Sequence, residues 1–161
     1  MKKITITQIS EKKIKAGNPL LQMEDFPNEL SFDEGELVEL VDSRQKFVAK
    51  AYLAKQNKGV GWVFSLDNAD SFNEAFFKKQ FEKAKRKRTD LQSDPETTTY
   101  RLFNAEGDGI PGVTIDHYDG FAVVSWYSEG IFRYQTAIIA AFQAVFPETK
   151  GIYEKFRYQR K

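Results

Sequence analysis

The period at which apolar residues recur changes twice along this chain, and that constrains its architecture more than any single residue does. Alternation of apolar and polar positions marks strands, whereas recurrence every three to four residues marks a helix. Ile4-Thr5-Ile6 reads as an opening strand, and further strands follow over 37–41, 47–53 and 60–66. The turns between them are Ala16-Gly17-Asn18-Pro19, Asp33-Glu34-Gly35, Asp42-Ser43-Arg44-Gln45 and Asn57-Lys58-Gly59. Short strands with close turns predict a small, mostly β barrel or sandwich over residues 1–70. The period then becomes helical from Asn73 to about Leu91, where Phe77, Phe81 and Ala84 share a face beside Phe76, with Ser71 or Asn73 as the cap. A helix over 71–94 is therefore expected, ended by Gln92-Ser93-Asp94-Pro95-Glu96. Alternation returns in Tyr100-Arg101-Leu102-Phe103, in 112–116 and in 121–126, and Asp119-Gly120 predicts a tight hairpin between the last two. A helix over 131–146, stopped by Pro147, and a strand opening at Gly151-Ile152-Tyr153 complete a small α/β domain over 95–161.

Composition narrows the chemistry. The chain has 161 residues, of which 41% are hydrophobic, including 14 Phe, so it can build a core. Lys and Arg number 24 against 23 acids, so any basic surface arises from uneven distribution. Cysteine is absent, which removes disulfides, thiolate metal sites and cysteine nucleophiles and fits a reducing compartment. No apolar run approaches the ~20 residues of a membrane span, and no signal peptide follows the start. The cytoplasm is the expected location, with no membrane partner.

Few residues suggest catalysis. Gly107, Gly109 and Gly112 have the bare spacing of a dinucleotide fingerprint, but Pro111 interrupts it and the β-branched Val113-Thr114-Ile115 that follow predict a strand, not the required helix. Glu106, Asp108 and Asp116 read as turn or strand-end residues in preference to a metal or acid–base cluster, and no metal site is expected. His117, the single histidine, has no partner for a triad. The basic residues carry more. Lys78, Lys79, Lys83, Lys85, Arg86, Lys87 and Arg88 crowd one helix against Glu82 alone, and Lys79, Lys83 and Arg86 share a face. Such a stripe attracts phosphates or is simply a solvated helix face. A weaker set comprises Lys12, Lys13 and Lys15 before the Gly17 turn, with Lys50, Lys55 and Lys58 on the later hairpin. Trp62 and Phe64 alternate on one strand face and read as core.

The segment Arg101-Leu102-Phe103-Asn104-Ala105-Glu106-Gly107-Asp108-Gly109-Ile110-Pro111-Gly112-Val113-Thr114-Ile115-Asp116 resembles a specific family. It is similar to the bacterial ribosomal RNA large-subunit methyltransferases that modify cytosine C5 and carry an N-terminal PUA domain. Glu36-Leu37-Val38-Glu39-Leu40-Val41-Asp42-Ser43 followed by Phe47-Val48-Ala49-Lys50-Ala51-Tyr52 looks like the PUA hairpin, and Asn73-Glu74-Ala75-Phe76-Phe77 like the family's linker helix. Asn18-Pro19-Leu20-Leu21 departs from the family's His-Pro-Trp-like turn. The resemblance implies an α+β chain: a PUA-like RNA-binding β-barrel over 1–70, a basic linker helix over 71–94, and a central α/β domain over 95–161. A doubly wound methyltransferase domain, with S-adenosylmethionine and a cysteine nucleophile, is expected to be missing after the interrupted segment Lys155-Phe156-Arg157-Tyr158-Gln159-Arg160-Lys161. On this expectation the chain holds no cofactor and no catalytic residue, and is inactive alone within a methyltransferase parent. Its partner is RNA, ribosomal by the resemblance; a homodimer is left open. Lys15, Gly17, Lys50, Lys55, Lys79, Lys83, Arg86 and Lys87 are the candidate RNA contacts. Arg101, Asn104, Glu106, Asp108, Gly109, Pro111, Gly112 and Asp116 form the motif, structural or RNA-contacting. The alternatives are a stand-alone PUA-type RNA-binding or adaptor protein, or a protein-interaction module.

Overall fold

The computed structural model describes residues 1–56 and 58–159, so the expectations placed on Asn57, Arg160 and Lys161 lie outside the described residues. The elements are β1 (Lys2–Thr5), α1 (Gln8–Lys15), β2 (Leu20–Leu21), β3 (Leu37–Val41), β4 (Phe47–Gln56), β5 (Gly59–Ser65), α2 (Glu74–Lys87) and α3 (Thr89–Ser93), then β6 (Thr99–Asn104), β7 (Val113–Tyr118), β8 (Phe121–Trp126), α4 (Glu129–Phe132), α5 (Gln135–Val145) and β9 (Gly151–Phe156).

The first sheet has the order β1-β3-β4-β5-β2, with β1 parallel to β3 and the other pairs antiparallel. The expected barrel is not closed. Closure needs the two edge strands to pair, and here they are β1, of four residues, and β2, of two. Helix α1 occupies part of the connection between them. It was not anticipated, because only Ser10 and Ile14 of its eight residues are buried, too few for a periodic signal. Thr7 caps it by accepting the Ser10 N–H at 3.1 Å. Asp25 anchors its inner face, accepting from Ser10 Oγ at 2.5 Å, Lys13 Nζ at 2.8 Å and the Gln22 N–H at 2.6 Å. Burial pushes the Asp25 carboxyl up, but those donors outweigh it and hold the group below the usual carboxylate range.

Strand β4 is covered on both faces. Ala49, Ala51 and Leu53 join the N-terminal core with Ile14, Val38 and Leu40. Tyr52 and Ala54 face the opposite way, into a core shared with the second half of the chain. There Phe64 and Phe72 meet Phe76 and Phe77 of α2, and Phe81 packs on Phe103 and Phe142. Asn73 caps α2 by accepting the Phe76 N–H at 3.0 Å, the role its position suggested. The helix expected as a linker is therefore built into the core, because its apolar stripe faces α5 and β6.

The second sheet runs β6-β7-β8-β9, antiparallel except for the β8–β9 pair, which α4 and α5 bridge as a crossover. The predicted hairpin is present, with Asp119 at φ 45° and Gly120 at φ 91°. The α+β expectation gives way to a compact α/β fold with two open mixed sheets on a common core. Alternation along a strand reports which side is buried, but not whether a sheet closes or which distant element covers it.

The seam between the halves is tied by Tyr52, whose buried hydroxyl donates to the Pro111 carbonyl at 2.6 Å. Tyr52→Phe leaves that carbonyl without its partner and is expected to cost about 1–3 kcal/mol, read from the urea midpoint at unchanged slope.

Candidate functional site

The β6–β7 connection carries the motif and builds one wall of a cleft. Arg101 and Asp116 are cross-strand partners, joined by Arg101 Nε donating to Asp116 Oδ1 at 2.5 Å. Asp108 is buried and accepts from Arg88 Nη2 at 2.7 Å, the Asn104 N–H at 2.7 Å and Lys87 Nζ at 3.4 Å. Burial raises its carboxyl, yet the Arg88 and Asn104 donors prevail and keep it below the ordinary range. Gly112, at φ +90°, is needed for close approach: a Cβ there would sit 2.5 Å from the Tyr52 hydroxyl. The space over Gly109 is filled in the same way by Gln80, whose Oε1 lies 2.5 Å from where a Cβ would be. With protein against both glycines, and β7 instead of a helix after them, this loop does not fit a nucleotide cofactor.

Between the two sheets opens a cleft of about 1460 Å³. Its cations are Lys55 and Lys58 from the first half and Arg101, Arg133 and Arg157 from the second, against the carboxylates of Glu34, Glu106 and Glu129. Trp62, Tyr127, Phe156 and Tyr158 add aromatic faces, and Asn104, Gly112 and Thr114 complete the motif wall. Some of these groups are committed locally: Arg133 pairs with Glu129 at 3.5 Å, and Tyr158 Oη donates to Glu129 Oε2 at 3.1 Å. The mixture of cations, aromatic faces and hydrogen-bonding groups suits an extended polyanion with flat rings.

The sequence candidates divide between this cleft and other places. Lys55, Arg101, Asn104, Glu106 and Gly112 line it. Asp108, Gly109 and Pro111 sit in the β6–β7 connection and Asp116 on β7, and none of the four lines the cleft. Lys50 is buried and donates to the Asp70 carbonyl at 2.6 Å, so its charge serves the fold. Lys87 leans on Asp108, while Lys79, Lys83 and Arg86 are exposed along the outer face of α2. Lys15 pairs with Glu11 at 2.8 Å, and Gly17 follows the end of α1 at φ +99°. His117 stacks on Tyr100 and accepts the Gly120 N–H at 3.1 Å, which stabilises the hairpin. Trp62, read as core, is half-buried and lines the cleft. Among the described residues no group of His, Asp or Glu is arranged to hold a metal, and no helix is long and apolar enough to cross a membrane.

Tyr127, Glu129, Arg133 and Arg157 were missed because no local pattern marks them; the crossover after β8 brings them in. Thr114 had a signal. It alternates with Val113 and Ile115, both core, and so faces away from them.

The PUA-like domain family matches residues 4–66. Over 160 residues, 98% of this chain, the sequence is 40% identical to a Bacillus subtilis protein named as a ribosomal RNA large subunit methyltransferase, YwbD, of which it covers 40%. The similarity to proteins named as ribosomal RNA large subunit methyltransferases thus runs over nearly the whole of this chain. It is also 33% identical over 121 residues to ribosomal RNA large subunit methyltransferase I of Cronobacter sakazakii, matching 75% of this chain and 30% of that protein. A structure described as a SAM-dependent methyltransferase from Streptococcus mutans superposes on all of this chain with a TM-score of 0.91 and 40% identity, and 44% of that protein is covered. The crystal structure of SMU.776, described as a methyltransferase complexed with SAH, matches with a TM-score of 0.92 and 40% identity over 100% of this chain and 43% of that one. The chain thus spans less than half the length of these relatives.

Two expectations are corrected by these likenesses. A missing methyltransferase domain is not supported, since methyltransferase structures cover this chain from end to end. Nor is the exclusion of a cofactor from this chain, since one of those structures is complexed with SAH. The physical reason lies in what the exclusion rested on: a glycine fingerprint is local in sequence, whereas a pocket can be assembled from residues far apart in the chain.

Proposed function

We propose that the chain holds an unpaired stretch of ribosomal RNA in the cleft between its sheets, as the substrate-engaging part of a SAM-dependent methyltransferase directed at cytosine C5. The observation that carries this reading is the convergence of five cationic and four aromatic side chains from both halves on one groove. Cations neutralise phosphates and release counterions, and aromatic faces accept stacked bases whatever their sequence. The PUA-like match over 4–66 and the naming of the relatives support RNA as the polyanion. In this reading Lys55, Arg101, Asn104 and Glu106 face the RNA, while Asp108, Gly109, Pro111, Gly112 and Asp116 set the wall. A cytoplasmic location follows from a ribosomal substrate.

Fluorescence anisotropy with a labelled single-stranded RNA tests the proposal. Binding that weakens steeply between roughly 50 and 200 mM salt is expected; no binding at low salt rejects it. SAH is the second occupant to try, because the SAH-complexed structure covers this chain. SAH that binds the chain and displaces the RNA reassigns the cleft to the cofactor.

The outer face of α2, with Lys15 at the end of α1 and Gly17 just beyond it, is proposed as a secondary contact for longer RNA. Replacing Lys79, Lys83 and Arg86 together by Glu is expected to weaken binding of a structured ribosomal RNA fragment and to lower the log–log salt slope by up to roughly three. An unchanged slope makes this face merely solvated.

A further inference from the structure

Six buried side-chain polar atoms among the described residues have no hydrogen-bond partner, and four of them line the one cleft: Glu34 Oε2, Gln56 Nε2, Trp62 Nε1 and Thr114 Oγ1. Buried polar groups are almost always paired, since an unmade bond forfeits the water lost on burial. All four line the same cleft, where a polar occupant would complete their hydrogen bonds. Thr114 is 5% exposed on the cleft face of β7, and Glu34 already uses Oε1 to accept the Lys55 N–H at 2.9 Å, which leaves Oε2 free for that occupant. The set comprises two donors (Gln56 and Trp62), one acceptor (Glu34) and one hydroxyl able to do either (Thr114).

That count discriminates between ligands. A phosphate offers acceptors only and is repelled by Glu34. A pyrimidine edge offers one donor and two acceptors: N4–H₂ with N3 and O2 in cytosine, N3–H with O2 and O4 in uracil. Adenine's pairing edge offers one donor and one acceptor, and leaves a protein donor unpaired. Guanine's offers two donors and one acceptor, and strands a donor as well. We infer that Glu34, Gln56, Trp62 and Thr114 form a base-reading subsite that takes the edge of an unpaired pyrimidine. The inference rests on the cleft's holding single-stranded RNA; the base read here is a recognition contact and is not assigned as the methyl acceptor.

Oligo(C), oligo(U) and oligo(A) of equal length, titrated against the 161-residue chain at fixed salt, provide the test. Both pyrimidine oligomers are expected to bind about tenfold more tightly than oligo(A), the size of one well-formed base-edge contact. A platform that only stacks would rank oligo(A) first, purines stacking better. Trp62 and the core residue Trp126 are the two tryptophans, so quenching of emission reports contact at Trp62, and Trp62→Phe removes it. Glu34→Gln and the isosteric Thr114→Val are expected to erase the pyrimidine preference, read as the ratio of oligo(C) and oligo(U) affinity to oligo(A) affinity within each variant, with thermal melts verifying that each variant folds. Equal binding of all three oligomers by the parent, or a preference that both variants retain, overturns the subsite and leaves the RNA cleft standing. Failure of every oligomer to bind overturns the cleft reading itself.

Discussion

Replacing Asp108 by Ala is expected to destabilise the chain by about 3 kcal/mol, at the low end of the usual cost of breaking a buried ion pair. The Asp108 side chain is 4% exposed, and its carboxylate collects Arg88, Lys87 and the Asn104 N–H at the point where the end of α2 meets the motif loop. Its loss leaves the Asn104 amide unpaired and the Arg88 guanidinium without its anion. Arg88 keeps the Arg101 carbonyl at 2.9 Å and the Ala84 carbonyl at 3.3 Å, which is why the low end applies. For a chain of this size the change corresponds to a fall in melting temperature of roughly 6–12 °C. Asp108→Asn keeps one acceptor oxygen and should fall between parent and Ala. A pH dependence accompanies it. Asp108 and Asp25 both hold carboxyl values below the ordinary range, so the unfolded chain binds protons more readily than the folded one. The stability they supply is complete above the ordinary carboxylate value and is lost as pH falls through the lowered folded values. Urea midpoints between neutral pH and pH ~3 should therefore decline, and decline less in Asp108→Ala. An equal decline removes Asp108 from the account of acid sensitivity.

The largest functional effect is expected from reversing charge in the cleft at two sites that spare the fold. Lys55 and Arg157 are exposed, and each lines the cleft from a different half of the chain. Lys55→Glu with Arg157→Glu removes two phosphate contacts and adds two repulsions. The affinity for single-stranded RNA should drop roughly a hundredfold at low salt, and the salt slope should fall by about two. Anisotropy titrations from roughly 50 to 200 mM salt give both quantities. A loss no greater than that of the α2 triple variant would move the main contact to the helix face.

Much of the local structure was legible in the sequence. Asp119-Gly120 specified its hairpin because both residues tolerate the positive φ that the turn demands. Asn73 and the spacing of Phe77, Phe81 and Ala84 specified α2 and its buried face. The β-branched run after Gly112 correctly argued that the glycine spacing opens a strand. Such features depend on neighbours within a few residues, and side-chain periodicity records them directly. Arg101, Asn104 and Glu106, from the segment that carries the resemblance, line the cleft.

Only the tertiary structure decided what those elements make together. The first sheet stays open because β1 and β2 are short and never meet, a matter of edge pairing that no strand's own pattern encodes. Tyr52 reads locally as one more apolar strand residue, yet it docks on Pro111, 59 positions away, and joins the halves whose separation forms the cleft. Lys50 carries the same charge as Lys55 five residues later; one is buried against Asp70 and the other faces the groove. Glu34, Gln56, Trp62 and Thr114 share no spacing, and their common property, a buried polar atom left unpaired, exists only once the chain is folded. Local sequence set each element and its buried side, whereas contacts between distant residues set the cleft and the groups that face it, because burial and pairing across the chain are properties of the packed whole.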